Sequence, residues 1–274
     1  MDEIRTYNVS ECCVFRKTKE LFGGLSNMAS GFPLTVNGIH ILSSEALYQA
    51  CRFPHLPEVQ KKIFFEKSPM SAKMVGKPYR NDSRPDWENA RIKIMRWCLR
   101  VKLAQHFIEF GKLLESTYDK HIVEDSSKDN YWGAIRNKQD GNILKGINAL
   151  GRLLMELRKF YNEKRFSHEM FVIEPLNISD FKLFGQPIDI IDERENLILF
   201  IKTSIRYNLI EGSNILTSQH NSSIIAEKAI VEETEKSLFK PTEKKKTSKK
   251  AATTKGRSKK CEDKYEEDPT LPLW

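Results

Sequence analysis

Long apolar runs are missing from this chain. No stretch approaches the roughly 20 apolar residues that a membrane-spanning helix requires, so no membrane partner is expected. The start, Met1-Asp2-Glu3-Ile4-Arg5, lacks the basic-then-apolar pattern of a secretory signal, which leads to the expectation of a cytoplasmic, reducing setting. Cysteine is sparse. The five residues, Cys12, Cys13, Cys51, Cys98 and Cys261, make no CxxC pair and no zinc spacing with histidine. The six histidines form neither a metal pattern nor a triad pattern, so no metal and no cofactor are expected. There is no G-x-x-x-x-G-K-[ST] loop, and Phe22-Gly23-Gly24 is too short for a dinucleotide fingerprint. No internal repeat is visible. These absences argue against a disulfide scaffold, a zinc module, a P-loop enzyme and a solenoid.

What is present is enough chain, 274 residues, to bury a sizeable core without staples. Its net charge of +8 is unevenly placed. Lys240 to Lys260 holds ten basic residues and one acid, Glu243, a balance of +9, so the remainder sums to −1. The basic stretch suits nucleic acid; the body of the chain has no such bias. Texture divides the sequence into a main domain over 1–162, a small, β-rich extension over 163–217, and a disordered lysine-rich tail over 218–274. The tail ends in an apolar tip, Leu271-Pro272-Leu273-Trp274, with the character of a short protein-docking motif.

Local patterns give a mainly α domain with a small β component. Asn37-Gly38 marks a hairpin. Ser43 or Ser44 caps a helix that runs to about Phe53, Pro57 opens a second, and Ser68-Pro69 opens a short third that ends at Gly76. Trp87, Ala90, Ile94, Met95, Cys98, Val101 and Lys102 follow helical spacing, and a further segment continues through Phe107, Phe110 and Leu114. His121-Ile122-Val123 is a candidate strand. A last helix is expected over about 143–161, with Ile143, Ile147, Leu150, Leu154 and Leu157 on its apolar face. Phe171-Val172-Ile173 and Leu197-Ile198-Leu199-Phe200-Ile201 have the composition of strands.

The polar residues of interest interrupt these apolar patterns. Glu45, with Ser44 before it and Tyr48 and Gln49 after it, forms a polar cluster at the head of an apolar helix. A carboxylate there also offsets the helix dipole, by about 0.3–1 kcal/mol. Lys73 and Lys77 lie four apart at a helix end, either as solvated charges or as a phosphate-binding or nucleophilic pair. Trp87 stands at a helix start and is expected to be exposed. Trp132 lies in the loop Asp129-Asn130-Tyr131-Trp132-Gly133, where it either stacks on a base or plugs the core edge. Asp129 and Glu124 are further carboxylates. A pair of carboxyl groups is what a glycosidic reaction needs, one to stabilise positive charge on the sugar and one to handle protons.

In order and spacing these pieces resemble the NADAR (YbiA-like) family. The match runs from Phe22 and Leu25-Ser26-Asn27 through Ser43-Ser44-Glu45, Ala72-Lys73, Gly76-Lys77, Asp86-Trp87 with Arg91, Ile122-Val123-Glu124 and Asp129 to Gly133, and closes on Gly146 to Arg158. The resemblance implies a compact, mainly helical YbiA-like fold and N-glycosidase activity on ribose-linked substrates. Within the family one activity removes ADP-ribose from guanine in nucleic acid, reversing DNA ADP-ribosylation, and another splits ribosylated riboflavin intermediates. It implies Glu45, Lys73 and Asp129 as catalytic residues. Ser44, Tyr48, Gln49, Lys77, Trp87, Glu124, Trp132, Gly133 and Asn148 are then the substrate-binding set. Arg52 stands where the family more often has Lys. The basic tail tilts the expectation toward an ADP-ribose substrate on DNA or RNA. The alternatives are the riboflavin intermediates or a non-catalytic ADP-ribose reader.

Overall fold

The computed structural model describes residues 3–199, 201–202, 232, 234–236 and 238–239. Short strands open the chain: β1 (Arg5–Asn8) and β2 (Cys12–Phe15), followed by a hairpin of β3 (Leu34–Val36) and β4 (Ile39–Ile41). Its two turn residues take left-handed φ values, +50° at Asn37 and +72° at Gly38, as an Asn-Gly hairpin requires. Five helices follow: α1 (Ser44–Cys51), α2 (Pro57–Phe65), α3 (Pro69–Val75), α4 (Trp87–Gln105) and α5 (Phe107–Glu115). Ser43 caps α1 by accepting from the Ala46 amide, and Ser68 caps α3 by accepting from that of Ser71. Proline at the first turn sets the start of both α2 and α3.

The second half carries β5 (His121–Ser126), β6 (Ala134–Arg136), β7 (Ile143–Gly146) and α6 (Ala149–Lys164). A five-stranded mixed sheet forms in the order β1-β7-β6-β5-β2. β5 pairs in parallel with both β2 and β6, and β7 pairs antiparallel with both β1 and β6. This sheet goes beyond the small β component expected, because its strands come from both ends of the domain. The expected helix at 143–161 begins later, at Ala149. Ile143 belongs to β7, where it faces Asn8 of β1, and Ile147 lies between strand and helix. Asn148, at φ +54°, makes the reversal.

α6 lies directly on β5. A Cβ at Gly151 would stand 2.1 Å from the Ile122 carbonyl, so only glycine permits this approach. α4 runs through the centre, burying Ile94, Cys98, Val101 and Leu103 against α1, α5 and α6. Each such side chain removed from water contributes about 1.5–3 kcal/mol.

Beyond α6 come α7 (His168–Phe171) and two paired two-residue sets, β8 (Val172–Ile173) with β11 (Ile191–Asp192), and β9 (Lys182–Leu183) with β10 (Gln186–Pro187). Phe171, Ile173, Phe181, Leu183, Ile188 and Ile191 join the same core as α1 and α4. Residues 194–199 are helical, which corrects the strand expected at Leu197 to Ile201; Leu197 turns inward while Leu199 is exposed, the one-sided burial of a helix. Five of the six residues described between 232 and 239 are also helical, and Leu238 is fully buried. This corrects the expectation of disorder from 218 at those positions. The lysine-rich stretch beyond Lys240 and the Leu271–Trp274 tip lie outside the described residues.

Candidate active site

Glu45 occupies the first turn of α1 and is 3% exposed. Both its oxygens accept from primary amides: Oε2 from Asn27 Nδ2, and Oε1 from Gln49 Nε2 at 2.8 Å. Its own amide donates to the Asn27 carbonyl, 2.9 Å away. Ser44 serves that arrangement rather than facing a ligand, since its buried hydroxyl donates to the same carbonyl at 3.1 Å. The loop that delivers Asn27 is held from below by Lys102. Its Nζ, wholly buried, donates to the carbonyls of Gly24 at 2.7 Å and Ser26 at 3.0 Å and lies over the rings of Phe32 and Phe110. Burial pushes its ammonium pKa well down.

A second carboxyl lies on β5. Glu124 is partly buried, and its carboxyl is pushed up to about 7. Burial is the main cause. The charge of Asp129 raises it further, Lys73 acts in the other direction, and Glu45 adds a smaller upward push. The three residues expected to be catalytic therefore converge electrostatically on Glu124. Asp129 Oδ1 accepts from the amides of Tyr131 and Trp132, both at 2.9 Å, which folds the 129–132 turn. Asn148 is fully buried. It accepts from the Glu124 amide at 3.2 Å and donates to the Ile122 carbonyl at 2.8 Å. Gly133 has no room for a side chain, since a Cβ would meet the Glu124 carbonyl at 2.7 Å. Asn148 and Gly133 thus fix where Glu124 sits, and neither presents a side chain to a ligand.

An aromatic group adjoins Glu45 on α1. The Tyr48 ring lies 5.1 Å from Trp87 and, edge-on, 5.6 Å from Trp132. Burial first, then the nearby Glu45 charge, raise the Tyr48 phenol well above its ordinary value. Trp87 is only 8% exposed, which corrects the expectation of an exposed ring: it belongs to the core, with the Arg52 guanidinium 4.9 Å from its ring centroid. Trp132 is partly buried against the core edge. Lys73, on α3, and Lys77, just after it, are both exposed; Lys73 is near enough to act on Glu124, while Lys77 is absent from the charges that do.

Sequence reasoning gave no role to Asn27 or Lys102. Lys102 had a signal, a lysine on the apolar spacing of a long helix. Asn27 had none beyond its place in the Leu25-Ser26-Asn27 motif. Among the described residues no cluster of His, Cys, Asp and Glu is arranged to hold a metal ion.

Two carboxyl groups on a mixed α/β frame, one hydrogen-bonded to amides and one pushed toward neutrality, stand near enough to act on each other, the constellation of a hydrolase acting through carboxyl groups. Residues 14–161 match the NADAR domain, and the chain belongs to that family. It is 37% identical over 145 residues to N-glycosidase YbiA of Escherichia coli, an alignment that covers 53% of this chain and 85% of that protein. It is 31% identical over 163 residues to a riboflavin biosynthesis protein of Vibrio vulnificus, covering 59% of this chain and 41% of the other. The NMR structure of E. coli YbiA, at 32% identity, covers 58% of this chain and 89% of its own, with a TM-score of 0.48.

Proposed function

We propose that this protein is an N-glycosidase that hydrolyses the bond between a ribose and a base nitrogen. The observation that carries the proposal is the pair Glu45 and Glu124, two glutamates close enough to interact and with different surroundings. Glu45 accepts from two amides, which hold both its oxygens in place. Glu124, desolvated beside Asp129, holds a proton near neutral pH. As the C1′–N bond breaks, its electron pair leaves with the base nitrogen, which takes the Glu124 proton. Positive charge builds on the ribose and is stabilised by Glu45. Water adds at C1′ and gives its proton to the Glu124 carboxylate, which restores the starting state. Lys73 either offsets the carboxylate charge or attacks C1′ of the opened sugar as an amine, and borohydride trapping of a sugar adduct on Lys73 separates these two roles.

The finer reading is removal of ADP-ribose from guanine in nucleic acid. The ten basic residues between Lys240 and Lys260 support it, because such a stretch concentrates an enzyme on a phosphate backbone. A second substrate, a ribosylated riboflavin intermediate, is favoured by the name of the Vibrio relative. A non-catalytic reader of ADP-ribose is disfavoured by the intact carboxyl set. The test is incubation with ADP-ribosylated guanine DNA and, separately, with ribosylaminopyrimidine phosphates, followed by assay of released sugar. Release from the first alone supports the finer reading and release from the second alone supports the other. Release from neither, with tight binding of ADP-ribose, identifies a reader.

A further inference from the structure

A second charged feature lies at the other end of α1 from Glu45 and has no part in the chemistry above. Arg52 closes α1, two helical turns beyond Glu45, so Glu45, Tyr48 with Gln49, and Arg52 follow one another along one face of the helix. Its guanidinium is partly buried, 4.9 Å from the Trp87 centroid and 5.7 Å from that of Phe53, and its Nε donates to Ser83 Oγ at 2.7 Å. The loop opposite is fixed in place. Ser83 Oγ donates to the Arg80 carbonyl, the Arg84 amide donates to the Arg52 carbonyl at 2.9 Å, and Arg84 is clamped on Asp86. Two further guanidinium groups, Arg80 and Arg91, bear on the charge of Arg52, with Glu88 as the opposing carboxylate. Glu88 pairs with Arg91 at 3.0 Å, and Arg91 also lies over the Tyr131 ring at 3.9 Å. Neither Arg52 nor Arg80 has an ion-pair partner among the described residues. Three cations and one acid, on a braced frame at the far end of the helix that carries Glu45, make a local excess of positive charge in partly desolvated surroundings.

We propose that Arg52 and Arg80, backed by Arg91, form an anion subsite that takes the phosphate on the 5′ carbon of the ribosylated substrate. The planar guanidinium fork matches phosphate oxygens two at a time, and Arg52 is already oriented by Ser83 and Trp87. Arg52 lies two helical turns along α1 from Glu45, about 10 Å, and in this proposal the anomeric carbon lies at the Glu45 end and the 5′ phosphate at the Arg52 end. Identification of the anion as a sugar phosphate rests on the N-glycosidase reading; the anion subsite itself does not.

Equilibrium binding tests the two separately, since it needs no turnover. The probes are inorganic pyrophosphate, ribose, ribose 5-phosphate and ADP-ribose, titrated against the full chain, its Arg52→Gln and Arg80→Gln variants, and Lys77→Gln as the competing cation. The expected result is tighter binding of ribose 5-phosphate than of ribose, and a loss of about ten- to a hundredfold in ribose 5-phosphate affinity in each arginine variant but not in Lys77→Gln. Ribose affinity should stay constant, which also shows that the variants fold. A larger loss for ADP-ribose than for ribose 5-phosphate assigns the subsite to a diphosphate, and equal losses assign it to a monophosphate. Pyrophosphate binding that depends on Arg52 and Arg80 in a protein without glycosidase activity keeps the subsite and removes the sugar. Wild-type affinity for ribose 5-phosphate and pyrophosphate in both arginine variants overturns the proposal.

Discussion

Glu45 and Glu124 act on each other from two elements, and the elements treat them differently. The head of α1 supplies Glu45 with donors: Gln49 one turn along, Asn27 from a loop that Lys102 braces, and a backbone amide tied to the same loop. The end of β5 supplies Glu124 with none of these. Asn148 fixes its backbone, Gly133 lets the neighbouring chain approach, and the carboxyl is left desolvated beside the like charges of Asp129 and Glu45, which Lys73 only partly offsets. The same side-chain type therefore meets hydrogen-bond donors in one place and burial beside a like charge in the other. Environment rather than residue type assigns the roles, as in other hydrolases that rely on two carboxyl groups.

Glu45→Gln breaks the charged half of this comparison. Turnover should fall about a thousandfold or more with substrate affinity nearly kept, because the amide preserves shape while removing the charge that stabilises the ribosyl cation. Unchanged single-turnover rates would remove Glu45 from the chemistry. Glu124→Gln breaks the protonated half. The loss should be about a hundredfold, and the wild-type decline in turnover as pH rises through about 7, where Glu124 gives up its proton, should vanish in the variant. Trp132→Ala tests the aromatic group. Ligand binding should weaken by about 1–3 kcal/mol with cooperative unfolding retained; a large fall in melting temperature at unaltered affinity would make the ring a core plug. The smallest effect is expected from deleting residues 241–274. Activity on a small substrate should persist, while the salt dependence of binding to long nucleic acid should become shallower. Identical salt slopes would leave a protein partner, through Leu271 to Trp274, as the tail's use.

Much of this frame was legible in residues with strong local rules. Ser43, Ser68, Pro57, Pro69 and Asn37-Gly38 set helix starts and a turn whatever surrounds them. The sheet was less legible because its strands run to three to six residues and join segments more than a hundred positions apart, as Cys13 joins Ile122. Ile143 and Ile147 fit the spacing of the helix that follows, and nothing local marks that Asn148 turns the chain between them and it. In the site, Glu45 was visible as a polar residue at the head of an apolar helix. Glu124 ranked lower in the sequence because its character comes from Asp129, Lys73 and burial, all of them tertiary. Trp87 was misjudged because a helix start is exposed only when no neighbour covers it, and here Tyr48 and Arg52 do.

The central claim is that Glu124 holds its proton near neutrality because of burial and Asp129. Carbon-13 NMR titration of the glutamate carboxyl groups, in the wild type and in Asp129→Asn, measures this without any substrate. One glutamate should titrate at about 7, should be absent from the spectrum of Glu124→Gln, and should move to lower pH in Asp129→Asn, since a negative charge that opposed its ionisation has been removed. A spectrum in which Glu124 titrates in the ordinary carboxylate range, or does not respond to Asp129→Asn, would contradict the account.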